Sequence, residues 1–175
     1  FGPEIWKGLQ TKVDPGVFSQ TELIVALCVL LVMAGLVFIK NNAKAFETGL
    51  LLSAGGLFLI ILSLLGLQTG MIAPYAFVVL IGIGLYIPYI AFHATVFERL
   101  IAFTRERGTI GYVMYLADSS SYAALVVVLL FKNFGIANTE QILPFFINFS
   151  WFTAASCLLM LLPAWMYFKK RKSEA

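Results

Sequence analysis

Of 175 residues, 61% are hydrophobic and only 12% charged, where a soluble domain keeps roughly a quarter of its residues charged. With a mean hydropathy of +0.92 there is too little charge to cover a globule in water, and a lipid bilayer is the solvent that tolerates such a surface. The net charge of +3 points to no nucleic-acid partner and says less than the placement of the charges.

In chain order, residues 1–20 are half polar and punctuated by Pro3, Gly8, Pro15 and Gly16, and read as the end of a preceding helix followed by an external loop. The chain opens on Phe1 with no basic segment before its first apolar run, so no signal peptide is visible, and the expectation is either a processed chain or, in preference, a C-terminal portion of something longer. Five apolar runs follow, each long enough to cross a hydrocarbon core of ~30 Å at ~1.5 Å per residue. The first, 21–39, has Glu22 at its lip, and the second, 46–67, has Glu47 at its start. The third, 72–97, holds no acid or base except His93; the fourth, 108–131, holds one charge, Asp118; the fifth, 142–168, holds none. Period-two alternation is absent, so the fold class is all-α: an integral membrane bundle of five transmembrane helices, closed by a basic tail at 169–175.

The basic residues set the orientation. Lys40 and Lys44, then Arg99, Arg105 and Arg107, then Lys169, Lys170, Arg171 and Lys172 fall on one side, leaving Lys7, Lys12 and Lys132 on the other. By the positive-inside rule the N-terminus is outside and the C-terminus cytoplasmic, with Trp165 and Tyr167 at the inner interface and Tyr75 near the outer one. Short connections at 40–45 and 68–71 make their flanking helices antiparallel neighbours, while 98–107 is longer and amphipathic and reads as an interfacial helical turn.

Asp118 is the most informative residue. It lies about 15 Å from the inner edge of its span at helical rise, near the midplane, where a carboxylate costs about 2.5–3.5 kcal/mol even on the lenient scale. It must therefore face the bundle interior or a wet cavity. Tyr115 and Tyr122 share its helical face and Ser119 adjoins it, giving a dense hydroxyl neighbourhood. Two readings stand: a substrate or proton site, or a buried carboxyl that glues helices together. In the third span Gly82, Gly84 and Pro88 weaken the helix, with Tyr86 and Tyr89 flanking the break; the expectation is a bend whose freed carbonyls face the fourth span at the depth of Asp118. His93, one turn from the inner edge, reads either as a proton relay or as a hydrogen-bonded interface residue.

Other features carry less. Cys28 and Cys157 sit in apolar runs and read as small core residues, and the strips Gly49/Ser53 and Ala117/Ser121 fit close helix packing. With one histidine and no clustered thiols, no metal is expected. The sequon Asn148-Phe149-Ser150 falls inside an apolar span and is discounted as a glycosylation site. No phosphate loop, nucleophile elbow or carboxylate pair appears, so neither enzyme chemistry nor a cofactor is expected.

Five helices with short turns, a small basic loop after the first, a longer basic loop after the third and a basic tail resemble the C-terminal half of a major facilitator superfamily transporter. The blocks FERLIAF (97–103), YLADSSSY (115–122) and FKNFG (131–135) are similar to an uncharacterised bacterial facilitator-like membrane family. The loop at 40–45 keeps the charge of the superfamily's cytoplasmic loop motif without its Gly-x-x-x-Asp-Arg pattern. The resemblance implies helices eight to twelve of a facilitator fold in a bacterial cytoplasmic membrane, and an N-terminal half as partner, because the substrate path lies between two halves. On that reading a small solute or proton passes along Asp118, Tyr115, Ser119, Tyr122, Tyr86, Tyr89 and His93. A non-transporting accessory or scaffold subunit of a larger membrane complex is the alternative, and a proton-translocating or sensing subunit using Asp118 and His93 is a third.

Overall fold

The computed structural model describes residues 2–9, 15–104, 109–135 and 141–173. They form α1 (Gly2–Gly8), α2 (Pro15–Val37), α3 (Asn42–Gln68), α4 (Pro74–Ala91), a π-helical turn (Phe92–Val96), α5 (Phe97–Thr104), α6 (Ile110–Gly135) and α7 (Ile142–Ser173). Among the described residues there is no strand, and five helices are long and apolar enough to cross a membrane. The fold is an all-α membrane bundle.

Local chemistry sets the ends. Asn41 caps α3, its side-chain oxygen accepting the Lys44 N–H at 3.1 Å. At the other end Gly70, with φ of 71°, lets the chain turn back: the Met71 N–H reaches Gly66 O at 2.9 Å and the Gly70 N–H reaches Leu67 O at 3.2 Å. Pro74 then opens α4, where its missing N–H costs nothing.

α3 and α4 cross at two glycines. A Cβ at Gly56 would lie 2.9 Å from the Gly84 carbonyl oxygen and 2.7 Å from Pro88 Cδ; one at Gly84 would lie 2.9 Å from Gly56 O. Only glycine on both sides allows that approach. Leu57, Ile60 and Leu64 of α3, Phe77 and Ile81 of α4 and Ala154 of α7 form the largest buried cluster. Val25 and Val29 of α2 pack on Ile87, and Phe46 and Leu50 on Val96. Of the two small-residue strips, Gly49/Ser53 is buried against the π turn, with a Gly49 Cβ falling 2.9 Å from Val96 Cγ2, whereas Ala117 is half-buried and Ser121 exposed.

Several expectations are corrected. Residues 15–20 are not loop but the first turns of α2, with Pro15 as a helix-starting residue; residues 10–14 lie outside the described set. The third span does not stop at 97: beyond the π turn it runs on through the amphipathic α5 to Thr104, and Arg105 and Arg107 lie outside the described residues. α6 continues past residue 131 to Gly135, and α7 carries its helix into the basic tail as far as Ser173. Cys157 is exposed, not core, while Cys28 is half-buried.

Tertiary contacts sort the ends of the bundle. At one, Arg99 Nη1 donates to Asn42 Oδ1 at 2.6 Å, Phe46 meets Phe168 edge-on at 5.0 Å, and Lys169 Nζ sits 4.8 Å above the Trp165 ring. At the other, Lys132 pairs with Glu4 at 2.6 Å and Trp6 packs on Phe18 and Tyr75. Lys40, Lys44, Arg99 and Lys169 thus gather at a common end.

Candidate functional site

Asp118 and His93 meet. The carboxylate Oδ1 of Asp118, on α6, lies 2.8 Å from Nε2 of His93, in the π turn. The helical continuation of the third span explains the match in depth. His93 is about three turns from Thr104, and Asp118 about two turns from Ile110, along antiparallel helices. Asp118 therefore stands level with His93, not with Pro88 as its distance from residue 97 had suggested.

The backbone around Pro88 re-aims the imidazole. Pro88 has no N–H to give, and the Phe92 N–H is shared between the carbonyls of Pro88 and Tyr89. The chain then widens so that the Phe97 N–H bonds to Phe92 O, five residues back. Such π turns are frequent at functional sites because they redirect side chains within an otherwise regular helix. The Gly84 carbonyl does not face the fourth span as expected: α4 continues as helix to Ala91, and that carbonyl abuts Gly56 of α3. The irregularity is displaced to the turn that holds His93.

The other imidazole nitrogen fixes which ring atom exchanges a proton. His93 Nδ1 lies 3.0 Å from the Tyr89 carbonyl oxygen, and a carbonyl can only accept, so Nδ1 carries a hydrogen. Nε2 is then the atom at which the ring gains or loses a proton. Toward Asp118 the pair has two forms: an imidazolium donating to a carboxylate, or a neutral imidazole accepting from a carboxylic acid. They differ by the position of one proton along a 2.8 Å line. The Tyr89 ring, 4.4 Å from the imidazole between centroids, and Phe97, 5.9 Å away, hold it on two sides.

The pair opens to one flank. The side chains of His93 and Asp118 are 27% and 39% exposed, so the proton can be reached from outside the chain. Tyr86, Tyr89 and His93 lie on one face of the third span at helical spacing. Tyr86 lines a groove between α2 and α4. The expected hydroxyl neighbours make no hydrogen bond to Asp118 among the described residues. Tyr115 and Tyr122 are 75% and 69% exposed, Ser119 is exposed, and among the described residues the side-chain partner of Asp118 is His93. Ser120 and Ser121 donate back to the carbonyls of Leu116 and Ala117. The spacing of Tyr115, Asp118 and Tyr122 placed them on adjoining faces but left open which way those faces turn. Tyr89, flagged for its ring, matters here also through its carbonyl, a role no side-chain pattern announces. Among the described residues no three His, Cys, Asp or Glu side chains come together.

α6 itself is held at separate points: the His93–Asp118 contact, the Lys132–Glu4 pair, and a stack of Phe131 on Phe145 at 5.5 Å between centroids. Glu4 lies outside the spanning helices, and the hydrogen bond from Lys132 holds its carboxyl below the ordinary value. Residues 1–171 match the family DUF5690, described as a family of unknown function. No curated protein and no solved structure matches the chain.

Proposed function

The chain belongs to that family, and we propose, from its own residues, that it is the C-terminal portion of a facilitator-like secondary transporter that moves a small solute together with a proton. The observation that carries the reading is the His93–Asp118 contact at 2.8 Å between two helices of membrane-spanning length. Ionisable side chains at such depth are costly, and where they occur they commonly mark ion or proton pathways. Here the two are read as a single exchangeable proton site on a partly exposed flank, and the exposed Tyr89, Tyr115 and Tyr122 stand on the same two spans. In this proposal that flank meets a second helical half, and the solute path runs between them. The gathered basic end is cytoplasmic, in a bacterial inner membrane. Cysteines placed at Lys40 and at Lys169 in intact cells should both escape a membrane-impermeant reagent, and labelling of either from outside would reverse the orientation.

Coupling is tested with the full-length protein reconstituted in liposomes containing a pH-sensitive dye, offered pools of amino acids, sugars and carboxylates in turn. Wild type should acidify the lumen with at least one pool, and Asp118→Asn should abolish that signal while melting near wild type. Unchanged acidification in the variant removes Asp118 from the proton path. The accessory-subunit reading is favoured by α6, of whose most apolar window 0% is buried: a helix so uncovered suits a neighbouring membrane protein. No acidification with any pool, together with co-purification of a stoichiometric membrane partner, would decide for it.

A further inference from the structure

We propose that the groove between α2 and α5 at the basic end of the bundle is a binding site for one anionic phospholipid, whose phosphate is held by Arg99. The groove encloses about 460 Å³ and is walled on one side by Leu30, Ala34 and Val37 of α2, and on the other by Thr95 and Arg99, with Glu98 at its exposed rim. Leu30 and Val37 are 63% and 78% exposed, so the walls offer apolar surface along the direction of an acyl chain. Arg99 closes the end where a headgroup would sit. It is half-buried, its Nη1 donates to the neutral Asn42 amide at 2.6 Å, and among the described residues it has no carboxylate partner. Guanidinium presents a planar fork that matches phosphate, and a half-buried one beside a neutral acceptor keeps its charge uncompensated. Lys40 and Lys44 flank Asn42 in sequence, so the local balance stays positive despite Glu98.

Two features together select lipid over a soluble anion. A free phosphate would need only the Arg99 end, whereas the apolar walls of α2 would remain facing water or lipid tails without specificity. Basic pockets between helices on one side of a membrane are suited to anionic headgroups. The inference is independent of the transport reading, because it needs only that the bundle spans a bilayer.

The test is native mass spectrometry of the full chain released from mixed micelles containing equal amounts of phosphatidylglycerol and phosphatidylcholine. Wild type should retain one phosphatidylglycerol, and Arg99→Gln should retain it about fivefold less, the effect of one cation near a charged lipid surface. Arg99→Lys, which keeps the charge and loses the fork, should fall between wild type and Arg99→Gln. Ala34→Trp, which fills the groove without touching the charge, should release both lipids. Asn42→Ala should lower melting temperature but leave the preference intact. Equal retention of the two lipids by wild type would overturn the proposal, as would Arg99→Gln retaining phosphatidylglycerol like wild type. Displacement of the lipid by millimolar inorganic phosphate would also overturn it, because the site would then be one for a soluble anion.

Discussion

Where α3 crosses α4, an added methyl group at Gly56 or Gly84 would fall 2.9 Å from the facing carbonyl oxygen; where α6 meets the π turn that follows α4, the contact is one carboxylate on one imidazole. The two regions hold membrane helices together by opposite means. In the first, small residues bring backbones close and dispersion over a dry surface does the holding. In the second, a helix with 0% of its most apolar window buried, against 39% for α3, is pinned by polar and aromatic contacts spaced along its length. Packing of the first kind has one arrangement. A contact of the second kind changes strength when a proton moves, as the proposed coupled transport would require.

Gly84→Ala should break the first region with the largest effect. The new methyl group meets backbone on α3, which cannot rotate away, and destabilisation of about 1–3 kcal/mol is expected from such overpacking. Gly55→Ala, where a Cβ meets nothing within 4 Å, should be neutral or slightly stabilising in the same detergent melt. Equal effects of the two would show that the crossing is not as close as described.

Asp118→Ala should act on the second region alone. It strands His93 Nε2 without its partner, at a cost of about 1 kcal/mol for a charged hydrogen bond discounted for exposure. Amide exchange on α6 should quicken while the core of α3 stays protected; uniform acceleration of both helices would sink the idea that α6 is held separately. A smaller effect is expected at the far end of α6. Because the Glu4 carboxyl is held below its ordinary value near 4.5 by the bond from Lys132, its contribution is complete above that value and fades only as pH falls through the lowered one. Glu4→Gln should remove the contribution at every pH and flatten the acid limb of α6 exchange. An acid limb unchanged in the variant would assign it to other carboxyls.

The same contrast explains what could be read from the sequence. Five spans were legible because each is apolar along its whole length, and helices are what a bilayer requires of such runs. Asp118 and His93 were each legible as isolated ionisable residues in apolar surroundings. Their pairing was not, because it depends on α5 prolonging the third span to Thr104, whereas the amphipathic pattern of 98–107 fits an interfacial turn equally well. The π turn at Phe92–Val96 left no local signature beyond Pro88. The outward direction of Tyr115 and Tyr122 was likewise hidden, since periodicity tells which residues share a face and not what the face meets.

The shared proton is tested most directly by 15N solid-state NMR of histidine-labelled protein in lipid, where the chain's one histidine gives an unambiguous spectrum. The expected result is an Nδ1 that stays protonated at every pH, held by the Tyr89 carbonyl, and an Nε2 whose shift moves with pH and changes when Asp118→Asn removes the carboxylate. A neutral ring protonated at Nε2 with Nδ1 bare, or an Nε2 signal indifferent to Asp118→Asn, would contradict the account.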